Sequence, residues 1–123
     1  MKKIILIGGD PNSINSEIIL KSWRKISNTL KKKIYLVSNY NLIKDQSKKL
    51  KFSIKVCKVK NLEDKNNSDS LKIIDINLKY LRPFKVPIKD ASKFVKKSLL
   101  IGHHFALNKN VLGLINCPID KTL

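Results

Sequence analysis

Cysteine is nearly missing from this chain of 123 residues. Cys57 and Cys117 are its only two, and neither has a second cysteine at metal-binding spacing. A disulfide-dense secreted scaffold is therefore excluded. Both sit in apolar, strand-like surroundings and are expected to be buried free thiols of a reducing compartment; a disulfide or a catalytic thiol is the other reading. Glycine and proline, four of each, are too few for a collagen-like or low-complexity chain. No apolar run approaches the roughly 18 to 20 residues of a membrane span. The opening Met1–Ile7 is basic and then apolar, but it is too brief for a signal peptide. Gly8-Gly9-Asp10-Pro11 follows it without a small-residue cleavage pattern. It reads as a first strand in a cytoplasmic protein.

Acid is scarce too, with 9 Asp and Glu against 26 Lys and Arg, a formal charge of +17. Such a field attracts polyanions weakly and without specificity. Yet only Arg24 and Arg82 are arginines, and arginine carries the planar fork that reads bases and phosphates. The lysines are spread over the whole chain, as in Lys31-Lys32-Lys33, Lys48-Lys49 and Lys96-Lys97, and gather on no single element. That pattern describes a solvated surface, and no specific nucleic-acid partner is expected.

The 42% hydrophobic content suffices for one packed domain. Lys3–Ile7 is a continuous aliphatic run, as in a strand buried on both faces. Helical spacing then begins near Ser16, with Ile18, Ile19, Trp23, Ile26 and Leu30 on one face and Asn15 or Ser16 as N-cap. Ile34–Ser38 reads as a strand, and Asn39 caps a helix running to about Leu50. Ser53–Lys60 and Leu71–Ile76 read as strands, separated by a polar loop over 61–70. Pro83 and Pro87 make 82–87 irregular. Asp90 is placed as the N-cap of a helix reaching about Asn108, and Val111–Asn116 as a last strand. The order β-α-β-α-β-β-α-β predicts an α/β layered fold with a mostly parallel sheet.

In such sheets ligands collect beyond the carboxyl ends of the strands. Two stretches qualify. Gly8–Glu17 follows the first strand, where Asp10 and Glu17 could set a carboxylate beside a ligand; a turn with Glu17 well placed near a helix N-terminus accounts for the same residues. It is neither a dinucleotide-binding glycine fingerprint nor a phosphate-cradling loop. Asn116-Cys117-Pro118-Ile119-Asp120-Lys121 follows the last strand, where Lys121 could hold a phosphate or tune a proton transfer, or be one more surface lysine.

Gly9-Asp10-Pro11, then Ile14, then Glu17-Ile18-Ile19-Leu20-Lys21 resembles the opening motif of the 4-hydroxythreonine-4-phosphate dehydrogenase family. Asp90-Ala91-Ser92 with the helix after it, and then Val111–Lys121, resembles that family's helix-strand unit. The likeness covers both ends of the chain in order and is thin between Lys44 and Lys89. It implies a three-layer α/β/α fold shared with isocitrate and isopropylmalate dehydrogenases, here incomplete: residues 1–123 form a single N-terminal α/β segment of a larger enzyme whose C-terminal part is absent. It implies a homodimer in the complete enzyme, NAD or NADP as hydride acceptor, and a divalent metal held by three histidines that this chain does not contain. The substrate implied is 4-phosphohydroxythreonine, in vitamin B6 biosynthesis. The implied site residues are Lys121 in catalysis, with Gly9, Asp10, Pro11, Glu17 and Asp120 bordering the cleft and no metal ligand among them.

The chain departs from the motif. Ser13 and Asn15 stand at glycines and Ser16 at the proline, so side chains are expected to hinder any turn that needs glycine. Cys117 and Asp120 replace a glycine and an asparagine of the final motif. His103 and His104, adjacent on a helix, match no ligand position. These departures leave an alternative: an inactive divergent member that binds a phosphorylated metabolite or a partner chain. A sheet cut after its last strand also leaves an unpaired edge, from which marginal stability or self-association is expected.

Overall fold

The computed structural model describes residues 2–62 and 70–116. In chain order the elements are β1 (Lys3–Ile7), α1 (Asn15–Lys25), α2 (Asn28–Lys31), β2 (Ile34–Ser38), α3 (Tyr40–Lys49), β3 (Val56–Val59), β4 (Leu71–Asp75), α4 (Ile88–Ala106) and β5 (Val111–Asn116). The five strands form one sheet in the order β3-β4-β2-β1-β5, and every pairing is parallel. The layered α/β architecture read from the sequence is the one observed.

Two-residue alternation sends the strands' side chains into two cores. On one face Leu36, Leu71 and Ile73 meet Ile19, Leu20 and Trp23 of α1 and Ile43 of α3. On the other, Ile5, Ile7, Tyr35, Val37 and Ile74 meet Phe94 of α4. Gly102 lets α4 lie close on β1, because a Cβ there would sit 2.6 Å from Cδ1 of Ile7. Burial on both faces explains the aliphatic runs.

Four element ends differ from expectation, one of them the start of β3, which lies at Val56 where Ser53 was expected. The first helix stops at Lys25, Ile26 is extended, and Ser27 caps the short α2 by accepting from the Leu30 N–H. The apolar spacing of Ile26 and Leu30 had merged two helices into one. Neither Asn15 nor Ser16 caps α1; Ile14 occupies that position without a side-chain bond. Asp90 falls in the first turn of α4, which starts at Ile88 behind Pro87, so its carboxylate meets the helix dipole without capping it. Asn39 does cap α3, its Oδ1 accepting from the Leu42 N–H at 2.9 Å.

Candidate functional site

The strand order places a topological switch at β1. From β1 the chain steps through α1 to β2 on one side, while β5 arrives on the other side by way of α4. The carboxyl ends of β1 and β5 lie side by side, with Ile7 paired to Asn116. A crevice at such a switch is where this class of sheet takes ligands.

The turn leaving β1 is rigidly built. Gly9 adopts φ 74, a left-handed conformation that excludes most side chains. Asp10 is buried and its Oδ1 accepts from the Asn12 N–H at 2.9 Å. The Ser13 hydroxyl donates to the Asp10 carbonyl and accepts from the Asn15 N–H. The buried Asn15 donates from Nδ2 to the Gly8 carbonyl at 3.3 Å. Lys51 is the one residue other than glycine with positive φ among those described, so Ser13 and Asn15 sit in ordinary backbone. The expected hindrance does not arise: their side chains replace conformational freedom with hydrogen bonds that close the turn on itself.

This turn is clamped to the segment between β4 and α4. Asn12 donates from Nδ2 to the Val86 carbonyl at 2.8 Å and accepts at Oδ1 from the Val86 N–H at 2.7 Å. Gln46 of α3, with 0% exposure, donates from Nε2 to the carbonyls of Pro11 and Pro83 at 2.8 and 2.6 Å. Its Oε1 is buried without a partner. The Tyr80 hydroxyl donates to the Asp45 carboxylate, and burial together with that bond pushes the phenol well above its ordinary range. The space enclosed by Gly9, Asp10, Pro11, Ser16, Ser38 and Gln46 is only about 10 Å³, room for a single water at most.

Of the residues singled out by sequence, Gly9, Asp10 and Pro11 come together in this turn. Glu17 lies in the first turn of α1, half exposed, with Lys21 at 3.6 Å. Asp120 and Lys121 lie outside the described residues, as does Cys117. Cys57 is half-buried, where full burial was expected. His103 and His104 are exposed on α4, and His104 packs edge-on to Phe105.

Sequence reading missed Asn12 and Gln46, and it read 82–87 as irregular without giving that stretch a part in the site. A glutamine on the inward side of an otherwise lysine-faced helix was the available signal for Gln46. Beside the segment between β4 and α4 two open grooves of about 230 and 290 Å³ share Lys79 and Asp90. Lys93 and Lys97 border the first and Lys85 the second. Among the described residues no three of His, Cys, Asp and Glu converge on a metal-sized site. No described helix is long and apolar enough to cross a membrane.

No protein-family model and no curated protein matches the chain. Solved structures do. A Salmonella typhimurium protein assigned as a 4-hydroxythreonine-4-phosphate dehydrogenase superposes with TM-score 0.83 at 19% identity, over 98% of this chain and 39% of that one. The 4-hydroxythreonine-4-phosphate dehydrogenase of Klebsiella pneumoniae gives 0.80 at 21% identity, over 98% and 38%. That of Burkholderia phymatum gives 0.82 at 13%, over 99% and 38%. The chain thus resembles one part of these enzymes in fold, and spans about two fifths of their length.

Proposed function

We propose that this chain forms the amino-terminal part of a metal- and NAD(P)-dependent dehydrogenase that oxidises 4-phosphohydroxythreonine, with decarboxylation of the product. The observation that carries the reading is superposition of nearly the whole chain on three such enzymes. The Gly9-Asp10-Pro11 turn at the β1–β5 switch supports it, since this is the position at which the fold class binds ligands. In this reading the turn is a rigid wall of the cleft, Glu17 and Asp120 border it, and Lys121 faces the substrate as a phosphate anchor or proton carrier. The described residues offer neither a ligand set for a divalent metal nor a glycine fingerprint for the dinucleotide. Both groups would have to be held elsewhere in a complete enzyme, so no step through either is assigned to these side chains.

The test is to read the source locus past the codon for Leu123 and assay the whole product for NAD(P)-dependent turnover with added divalent metal. A continuation lacking a histidine-bearing second half sinks the family reading. Turnover by the 123-residue chain alone sinks the claim that it is a part. A second reading, an inactive binding module, is favoured by one observation: the polar groups of Ser13 and Asn15 are spent inside the turn. Calorimetric binding of the phosphorylated substrate without turnover by the whole product would select it.

A further inference from the structure

Of the 24 lysines in this chain, Lys72 is the one buried among the described residues, at 3% exposure. An ammonium taken out of water is costly unless a counter-charge meets it. No described carboxylate does so, since the described ion pairs join Lys21 to Glu17 and Lys58 to Asp75. The Lys72 ammonium instead donates to the Lys31 carbonyl at 3.2 Å and lies 4.9 Å from the centre of the Tyr35 ring. Lys3 sets a second cation 5.2 Å from the same ring. An apolar side chain at position 72 would avoid the cost, so the amine points to chemistry.

The neighbour that supplies the chemistry is Cys57. Lys72 and Cys57 are register partners on the adjacent parallel strands β4 and β3, so their side chains leave the sheet side by side on one face. That face lies under α4: Cys57 and Tyr35, the partner of Lys72 on its other side, both join the core there. The groups facing the pair are Lys3 from β1 and Tyr35 from β2, while α4 brings the apolar Phe94, Leu99, Ile101 and Phe105 to this core. As an edge-strand residue Cys57 keeps partial contact with solvent, so a small reagent can reach it. Burial lowers the Lys72 pKa, Cys57 raises it and Lys3 lowers it further, so thiol and amine feel each other. A cation in a dry setting favours the thiolate, the form that reacts. Tyr35, Cys57 and Lys72 are each the second residue of their strands, at the end of the sheet away from the crevice.

We propose that Cys57 and Lys72 form a peroxide-reactive pair, in which Cys57 is oxidised to a sulfenic acid and Lys72 holds the thiolate and supplies the proton. The thiolate sulfur attacks one oxygen of hydrogen peroxide, an S–O bond forms and the O–O bond breaks. The Lys72 ammonium passes a proton to the departing hydroxide. Sulfur loses two electrons and the peroxide gains them, giving sulfenic acid, one water and a neutral amine. The product pair is uncharged, the state that a buried site favours. The proposal does not rest on the dehydrogenase reading.

In the experiment every protein carries Cys117→Ser, which leaves Cys57 as its only cysteine. Hydrogen peroxide is added, and sulfenic acid is trapped with dimedone and located by peptide mass. Iodoacetamide alkylation over a pH series gives the midpoint of the thiol. Lys72→Met removes the buried charge, and circular dichroism checks that it keeps the fold. It is expected to slow dimedone labelling at neutral pH about tenfold and to move the alkylation midpoint up by about one unit. A structural role alone would change the alkylation rate at every pH and leave the midpoint in place. Lys58→Met, on the opposite face of β3, should leave both readouts unchanged. A midpoint indifferent to Lys72→Met overturns the proposal, as does labelling of Cys57 only after unfolding. A disulfide-linked dimer in place of sulfenic acid overturns it in favour of pairing between copies at the β3 edge.

Discussion

At the residue scale, a buried lysine and a half-buried tyrosine pull stability in opposite directions with pH. Lys72 is 3% exposed on the α4 face, its ammonium 4.9 Å from the centre of the Tyr35 ring and 3.2 Å from the Lys31 carbonyl. Desolvation holds its pKa below the usual 10.5; proximity to Cys57 opposes the shift and Lys3 adds to it. Between the lowered folded value and 10.5 the unfolded chain binds more protons, so stability rises with pH across that window. Lys72→Met removes the buried charge; it is expected to raise stability at neutral pH by about 1 kcal/mol and to flatten that rise. Tyr80 acts the other way. Its raised pKa keeps the folded phenol protonated after the unfolded one has ionised, so stability falls as pH rises above about 10. Tyr80→Phe is expected to lessen the alkaline fall while costing about 1 kcal/mol at neutral pH for the lost bond to Asp45. Denaturant titrations at a series of pH values separate the two. Gln46→Ala orphans the Pro11 and Pro83 carbonyls and opens a void, so a loss of about 2–4 kcal/mol is expected. A value below about 0.5 kcal/mol would show that the clamp does not hold the site.

At the scale of elements, α4 shows what a sequence can and cannot disclose. Its buried positions, Ala91, Phe94, Val95, Ser98 and Gly102, recur at helical spacing and were readable in advance. The close approach that Gly102 serves was not, because it depends on which strand lies beneath. Gly102→Ala gains about 1 kcal/mol of helix propensity but drives a methyl into Ile7, which is fully buried, so a net loss of about 1 kcal/mol is expected. Gly102→Val should cost several times more by thermal unfolding, and equal costs for the two would refute the contact. Strands were legible because aliphatic runs report burial on two faces; the Lys25–Ser27 break was not, since Ile26 and Leu30 keep the helical period across it. The same division runs through the site. Gly9, Asp10 and Pro11 announce a turn by type, whereas Asn12 acts across 74 residues and Gln46 across 35 and 37. Partners at that separation leave no local pattern.

For the whole molecule the governing quantity is its charge of +17. Few acids oppose it among the described residues: Lys21 meets Glu17 and Lys58 meets Asp75, both at partly exposed positions where an ion pair contributes little. Several cationic heads instead lie over aromatic rings, as Arg24 does over Phe52 and Lys31 over Trp23. The remaining positive field is self-repulsive, and unfolding relieves it by spreading the charges apart. Raising salt from about 20 mM to about 300 mM shortens the Debye length from roughly 20 Å to roughly 6 Å and removes most of that repulsion. The melting temperature is therefore expected to climb by about 2–5 °C over this interval. Binding to DNA should fall steeply over the same interval, because attachment without a base-reading arginine surface is counterion release alone. Sodium chloride and sodium sulfate at matched ionic strength separate screening from salting-out: screening predicts equal rises, and a rise in sulfate only would assign the effect to apolar burial. A melting temperature that fell with chloride would show instead that the lysines are held in favourable pairs, and the surface would have to be reread as a built network rather than a solvated coat.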